Sequence, residues 1–166
     1  MHREGHLGAA MIAYAPVGGI AVAAGGEGLA IIGGGVAAGL SMLPDFDQRV
    51  PGIKHRGLTH TVHFAVTVGI VMGLAGAVLG STGGGFVAVG LGVFGFIVGG
   101  ITIASHIAAD ALTPAGVDPF RRGEQISYDV AKAANPIANY LLLGGGVVAV
   151  VIAYVLGTVV ASIISG

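Results

Sequence analysis

Long apolar runs without a charged residue are the feature that most constrains this chain. A transmembrane helix needs about 20 consecutive apolar residues, and only 9% of the residues are charged, against roughly 25% in ordinary soluble domains. The sequence therefore predicts an all-α, polytopic membrane bundle of about five transmembrane helices, forming one integral-membrane domain over residues 1–166. The five runs lie at 7–24, 29–43, 58–79, 86–109 and 137–164.

The first two runs are the least regular. Arg3 precedes the first, and Ala21-Val22-Ala23 resembles the cleavage site of a signal peptide. Because Pro16 and Gly18-Gly19 interrupt the apolar region, we favour a membrane span. The second run would be about 22 Å long at 1.5 Å per residue, short of the ~30 Å hydrocarbon core, and Pro44 is expected to stop it.

Glycine is unusually frequent, at 32 of 166 residues, and most of it lies inside the apolar runs. Small residues four positions apart let two membrane helices approach closely. Such pairs predict that the third and fourth helices pack on each other: Gly69/Gly73, Gly76/Gly80 and Gly95/Gly99.

The basic residues predict the orientation of the chain. Five spans place the amino terminus and the 44–57 and 111–136 segments on one face, whereas the opposite face carries only Glu27. By the positive-inside rule the first face, with the amino terminus, is cytoplasmic. The sequence thus predicts a multi-pass protein of the inner (cytoplasmic) membrane. That face holds all seven basic residues: Arg3, Arg49, Lys54, Arg56, Arg121, Arg122 and Lys132.

Histidines and acids gather at the same helix ends. The stretch DFDQRVPGIKHRGLTHTVH, residues 45–63, holds two acids and three histidines. Imidazole nitrogen and carboxylate oxygen are ligands of zinc and other divalent metals. We therefore predict a metal site at the cytoplasmic helix ends. Its candidate ligands are His6, Asp45, Asp47, His55, His60, His106 and Asp110.

Spacing supports part of this ligand set. His106 and Asp110, four residues apart, share a helix face, and the three-residue spacing of His60 and His63 predicts the same for that pair. An acid at the centre of a membrane helix costs about 2.5–3.5 kcal/mol on insertion scales, and metal coordination would offset such a cost. Taken alone, the His106–Asp110 pair fits a hydrogen-bonded interfacial pair equally well.

Two interpretations of Arg56 carry equal weight. Basic residues cluster at cytoplasmic interfaces, where they set topology and contact lipid headgroups. A guanidinium is also a planar fork of donors suited to a phosphate. We assign the adjacent Arg121-Arg122 pair to the headgroup patch rather than to the site.

Four segments in order resemble one family. EGH at 4–6, LPDFD at 43–47, HRGLTHT at 55–61, and SHIAAD with LTPAGVDPF at 105–120 resemble the YdjM-like family. Its members are described as LexA-binding, inner-membrane-associated, predicted metal-dependent hydrolases. The resemblance covers residues 4–120 and implies a metal-dependent hydrolase.

The family looks distantly similar to zinc-dependent phospholipases C and single-strand-specific nucleases. That likeness implies one zinc centre of His60, His106, Asp110 and an Asp of 45 or 47. It also implies a second centre at His6 that shares Asp110. No histidine follows His106, so we expect one or two ions rather than three.

The preferred hypothesis is a membrane-bound, metal-dependent hydrolase of a phosphoester, lipid or lipid-linked. Zinc, or else manganese, would be the metal. Asp45 or Asp47 would orient or deprotonate water, and Arg56 would stabilise developing negative charge. The alternative is a non-catalytic protein with a structural metal that docks a cytoplasmic partner. A metal-ion transporter ranks last, because it would need ionisable groups near the bilayer midplane. No direct nucleic-acid binding is expected.

Overall fold

The structure is a computed structural model that describes residues 1–52 and 55–166. Lys54, one of the basic residues of the predicted cytoplasmic face, lies outside the described residues. Three short 3₁₀ helices lie at Pro44–Arg49, Leu58–His60 and Ser81–Gly83. The five α-helices are α1 (Arg3–Ala23), α2 (Glu27–Leu40), α3 (Val62–Gly80), α4 (Gly85–Ala111) and α5 (Pro136–Ser165).

Five helical segments are long and apolar enough to cross a membrane, which confirms the predicted all-α membrane fold. They have 21, 23, 22, 27 and 30 residues. The second segment reaches this length only by joining α2 to the 3₁₀ helix that starts at Pro44 and runs to Arg49. The α-helix thus ends at Leu40, before Pro44, and flanking residues lengthen the second segment past the proline that was expected to stop it.

Side-chain caps fix where two of the helices begin. The Thr61 hydroxyl accepts the backbone N–H of Phe64, so α3 begins at Val62 rather than at the predicted Leu58. The Asn135 side chain likewise accepts the N–H of Ile137 at the start of α5. The predicted pairing of His60 with His63 is therefore wrong. His60 is buried in a 3₁₀ turn before the cap, and His63 is exposed on α3.

Helices α3 and α4 pack through their glycines, as predicted. A Cβ at Gly73 would lie 3.0 Å from the carbonyl oxygen of Gly92, and one at Gly69 would lie 3.0 Å from that of Phe96. A Cβ at Gly95 would collide with the backbone of Met72. Backbones this close leave no room for side chains, so glycine is what lets the two helices meet.

A second glycine seam, which the sequence reading missed, joins α1 to α5. A Cβ at Gly146 would lie 2.7 Å from the Gly8 carbonyl oxygen, and one at Gly157 would lie 2.6 Å from that of Gly19. Helix α1 also packs on α2 and α4, and α2 packs on α4. The bundle is thus two close pairs, α1/α5 and α3/α4, joined through α1 and α4.

The α3/α4 seam gives a matched test of stability. We expect Gly95→Val to destabilise the protein by about 1–3 kcal/mol or more, because the added side chain meets the backbone of α3. Gly90→Val, on the same helix, is the control, since a Cβ at Gly90 meets nothing within 4 Å. Thermal unfolding in detergent should give a lower Tm for the first variant only. Equal losses would mean that the seam does not hold the pair together.

Candidate metal centre

Five ionisable side chains from four chain segments meet at one end of the bundle. They come from the first turn of α1, the 3₁₀ helix after α2, the 3₁₀ turn before α3, and the last turns of α4. Four of them are buried, and the fifth, Asp45, has a side chain 12% exposed. We call this set the His/Asp cluster: His6, Asp45, His60, His106 and Asp110.

The Nε2 atoms of the three imidazoles face the two carboxylates. His60 Nε2 lies 3.4 Å from Asp110 Oδ2 and 3.5 Å from Asp45 Oδ1. His106 Nε2 lies 3.5 Å from Asp45 Oδ1 and 3.2 Å from His60 Nε2. His6 Nε2 lies 3.5 Å from Asp110 Oδ1 and 3.7 Å from Asp45 Oδ2. These atoms therefore converge on one small volume.

The tautomer of His106 follows from its backbone partner. Its Nδ1 lies 2.7 Å from the carbonyl oxygen of Ser41, at the end of α2. A carbonyl oxygen only accepts, so Nδ1 carries the proton and donates it. In the neutral ring, Nε2 then presents its lone pair to the cluster, which is the form that binds a metal.

A relay of hydrogen bonds orients His60 in the same way. The Thr59 hydroxyl donates to Asp47 Oδ2 over 2.7 Å, and it lies 3.0 Å from His60 Nδ1. Because the Thr59 proton goes to Asp47, its oxygen is left to accept the Nδ1 proton of His60. His60 Nε2 thus also turns a lone pair inward. Partners of this kind commonly fix the rings of metal-binding histidines.

Asp47 stands behind the cluster rather than in it. Its Oδ2 accepts from the Thr59 hydroxyl and from the backbone N–H of Arg56, 3.2 Å away, and its Oδ1 lies 2.9 Å from His55 Nδ1. Both carboxylate oxygens are therefore engaged in hydrogen bonds. Of the two candidate acids, Asp45 faces the imidazole Nε2 atoms, and Asp47 orients the groups around them.

His6 is the member whose surroundings best fit a metal. Neither ring nitrogen has a hydrogen-bond partner among the described residues, although the side chain is buried. Its ring stacks on that of His106, with centroids 3.6 Å apart and planes 6° from parallel. A buried polar atom without a partner is costly. Coordination by Nε2 would supply the missing interaction, and the mixed nitrogen and oxygen donor set suits a divalent first-row ion.

The two carboxylates of the cluster draw positive charge toward His60. Burial by itself would lower the pKa of His60, but hydrogen bonds to the Asp110 and Asp45 carboxylates favour the charged ring, so this pKa lies above its ordinary value, and a proton and a metal compete for Nε2. The Met1 amino group and Arg56 supply further positive charge at Asp110, whereas Asp45 faces the three imidazoles. A divalent ion would supply positive charge to the carboxylates in place of a proton on His60.

Within residues 1–52 and 55–166, two groups of side chains could hold a metal. One is His6, Asp45, His106 and Asp110; the other is Asp45, His55 and His60, with ligand atoms in each group within 4.8 Å of one another. The two groups share Asp45. His55 is the outermost member, with a side chain 42% exposed.

A family model described as YdjM inner membrane protein matches residues 1–165 of the chain. The chain belongs to this family. No curated protein and no solved structure matches it. The predicted similarity to zinc-dependent phospholipases C and nucleases therefore stays a prediction.

Arg56 of this YdjM-family chain is tied to the cluster and to the loop after α4. Its Nη2 lies 3.0 Å from Asp110 Oδ1, and its Nη1 donates to the Gly116 carbonyl over 2.8 Å. The backbone of Arg56 has a φ of 59°, which is uncommon for residues other than Gly, Asn or Asp. The guanidinium therefore neutralises part of the charge on Asp110. Arg121 and Arg122, assigned to the headgroup patch, are exposed on the loop.

Asn139, which the sequence allows to hydrogen-bond the loop before the last helix, is buried on α5 and also contacts α1. Its Oδ1 accepts the backbone N–H of His2 over 2.9 Å, and its Nδ2 donates to the carbonyl oxygens of Ala133 and Asn135. It therefore holds the start of α1 beside α5 and so positions His6. The Met1 amino group contacts Asp110 at the same place. An amide in the first turn of an otherwise apolar helix was the available signal.

The relay through Thr59 gives a testable prediction. Thr59→Val keeps the shape of the side chain but removes the link from Asp47 to His60, so we expect metal affinity to fall about 10–100-fold. Thr67→Val is the matched control, because that hydroxyl bonds only to its own helix at the His63 carbonyl, on an exposed face. Competition with a chromophoric chelator measures both variants. Unchanged affinity in Thr59→Val would show that the Thr59 hydroxyl does not position His60 for the metal.

Proposed function

We propose that this inner-membrane protein is a multi-pass, metal-dependent hydrolase that acts on a phosphoester at the cytoplasmic face. One observation carries the proposal: three imidazole Nε2 atoms and two carboxylates converge in a buried cluster at one end of the bundle. The charged and polar groups stand at that end, so a single domain would present its chemistry on one side of the membrane.

The proposed topology rests on the distribution of charge. Every described Lys and Arg lies at the helix ends that carry the cluster, whereas the turns 24–26 and 81–84 carry none. By the positive-inside rule the cluster and the amino terminus face the cytoplasm.

The chain has no cysteine, so single cysteines can report the topology directly. A membrane-impermeant maleimide added to cells from the periplasmic side should label Thr82→Cys, in the turn before α4. Glu124→Cys, in the loop after α4, should react only after the membrane is broken. Labelling in the reverse pattern would place the cluster on the periplasmic side and contradict the proposal.

His6, Asp45, His60, His106 and Asp110 are the proposed metal ligands, with zinc as the first candidate and manganese as the second. When bound, a divalent ion supplies Lewis acidity toward a phosphoryl oxygen and toward water. The protein fixes the geometry through the Ser41 carbonyl, the Thr59 hydroxyl and Asp47. With two ions bound, His6, Asp45, His106 and Asp110 would hold one, and Asp45, His55 and His60 would hold the other.

The remaining polar groups suit acid–base and electrostatic roles. His55 Nδ1 donates to Asp47, so the other ring nitrogen of the neutral ring carries a lone pair and, when no second ion is bound, is able to accept a proton. Arg56, whose side chain is 17% exposed, lies against the cluster, and its planar guanidinium suits a phosphoryl oxygen. We assign Asp47 a positioning role through Thr59 and His55.

Metal content tests the site. We expect purified protein to hold one or two equivalents of zinc or manganese, and His60→Ala and Asp110→Ala to lose them, because each removes a buried ligand. His63→Ala is the matched control, since His63 is exposed outside the cluster. Mass spectrometry of detergent-purified protein measures the metal, and circular dichroism verifies the fold. Absence of metal in the wild type after reconstitution with zinc, manganese and nickel would overturn the hydrolase proposal.

Activity separates a catalytic site from a structural one. A panel of phosphomonoester and phosphodiester substrates should be hydrolysed by the metal-loaded wild type and by His63→Ala. Removal of a ligand should abolish turnover while the helical signal is retained. If the ligand variants unfold and the wild type hydrolyses none of the substrates, the alternative of a structural metal and a cytoplasmic partner is favoured.

A further inference from the structure

An apolar cavity of about 380 Å³ lies between α1, α2 and α5. Both α2 and α5 pack on α1, and small side chains on the facing surfaces leave a gap between them, among them Ala15, Gly18, Gly34 and Ala38. The Tyr14 hydroxyl, one of few polar groups on its wall, is already used, since it donates to the Ala30 carbonyl over 2.6 Å. The cavity therefore offers hardly any polar partner to a ligand.

Two residues of the cavity wall are sequence neighbours of the cluster or of its supports, although no member of the His/Asp cluster lines the cavity. Leu7, on its wall, follows His6 in the chain, and Ala38 lies one helical turn before Ser41, whose carbonyl orients His106. The cavity follows α1 from Leu7 to Val22. That stretch of helix is about 22 Å long at 1.5 Å per residue. The cavity is thus a long apolar space that begins at the polar end of the bundle.

We propose that this cavity binds one hydrocarbon chain of a lipid phosphate, whose phosphate group lies at the His/Asp cluster. The inference rests on the proposed function and names the substrate class of the same site. The volume falls in the range of roughly 300–1,000 Å³ usual for ligand sites. A polar ligand there would lose its hydrogen bonds to water without replacement, whereas a hydrocarbon chain loses none.

The two ends of such a lipid match the two chemistries of the site. Its chain would enter sideways from the acyl layer, because helices α2 and α5 that flank the cavity expose apolar residues such as Ile31 and Val151. Its phosphate would meet the Arg56 guanidinium and the proposed ion at the cluster. A water-soluble phosphoester would use the cluster and leave the cavity without a role.

Photolabelling of the full chain in lipid nanodiscs tests this assignment. The probe is hexadecyl phosphate with a diazirine at mid-chain, and hexadecanol with the same diazirine is the uncharged counterpart. Labelled residues are identified by mass spectrometry. We expect the phosphate probe to label residues of α1, α2 and α5 that line the cavity, several-fold more than the alcohol does.

Filling the cavity should abolish this preference. Ala38→Phe, and the milder Ala38→Leu should the first fail to fold, place bulk at the end of the cavity near the cluster. Ala75→Phe and Ala75→Leu are the matched controls, because Ala75 is exposed on α3 and does not line the cavity. We expect at least a several-fold loss of cavity labelling in the Ala38 variants and none in the Ala75 variants.

Two outcomes would overturn the inference: even labelling of all lipid-facing helices, or equal labelling by the two probes. Metal content, measured on each sample, keeps this result apart from the proposed function. Metal-loaded protein that hydrolyses soluble phosphoesters but shows no cavity preference would contradict the lipid assignment alone. Protein that holds no metal would contradict the proposed function, whatever the labelling shows.

Discussion

The burial of two carboxylates among three imidazoles is the constraint on which the rest of this structure depends. Asp110 lies in the last turn of a long apolar helix, where an unpaired charge is strongly unfavourable. Its partners come from two other chain segments: the Met1 amino group and His6 at the start of α1, and Arg56 and His60 before α3. Neither segment satisfies it alone. The ends of α1, α3 and α4 must therefore meet, and Asp45, which faces the three imidazoles, brings the segment after α2 to the same place.

Close helix contacts make this meeting possible. Glycine seams bring α3 against α4 and α1 against α5, so that the helix ends are near enough for side chains as short as Asp and His to touch. Asn139 then ties the start of α1 to the start of α5. The abundant glycine is thus a condition of the polar cluster, since wider helix spacing would leave the carboxylates of Asp45 and Asp110 without partners.

The helices and the location of the cluster were predictable because each depends on local sequence. Uncharged runs predicted the five spans. Because two spans separate each polar segment from the next, His6, His60 and Asp110 were predicted to lie at one end of the bundle. The sequence did not predict that Asp45 would face the imidazoles while Asp47 orients the groups around them. That difference depends on the direction in which each side chain leaves the 3₁₀ helix. The start of α3 after Thr61, which separates His60 from His63, was not predicted for a similar reason. A three-residue spacing indicates one helix face only when the helix is continuous. The bond from the His2 backbone to Asn139 was not predictable, because it depends on the long-range contact of α5 with α1.

The exposure of the cluster bears on whether its metal would be structural or catalytic. Structural zinc sites are closed by four protein ligands, whereas catalytic sites keep a position open to water or substrate. Here His6, His60 and His106 are fully enclosed, but Asp45 is partly exposed and His55 beside it is largely so. The bond that orients His106 comes from Ser41 and is buried, whereas the one that orients His60 comes from Thr59 and is part-buried. A cluster whose imidazoles are enclosed and whose Asp45 is reachable has the arrangement expected of a catalytic site, and this exposure is why we favour hydrolysis over a purely structural ion.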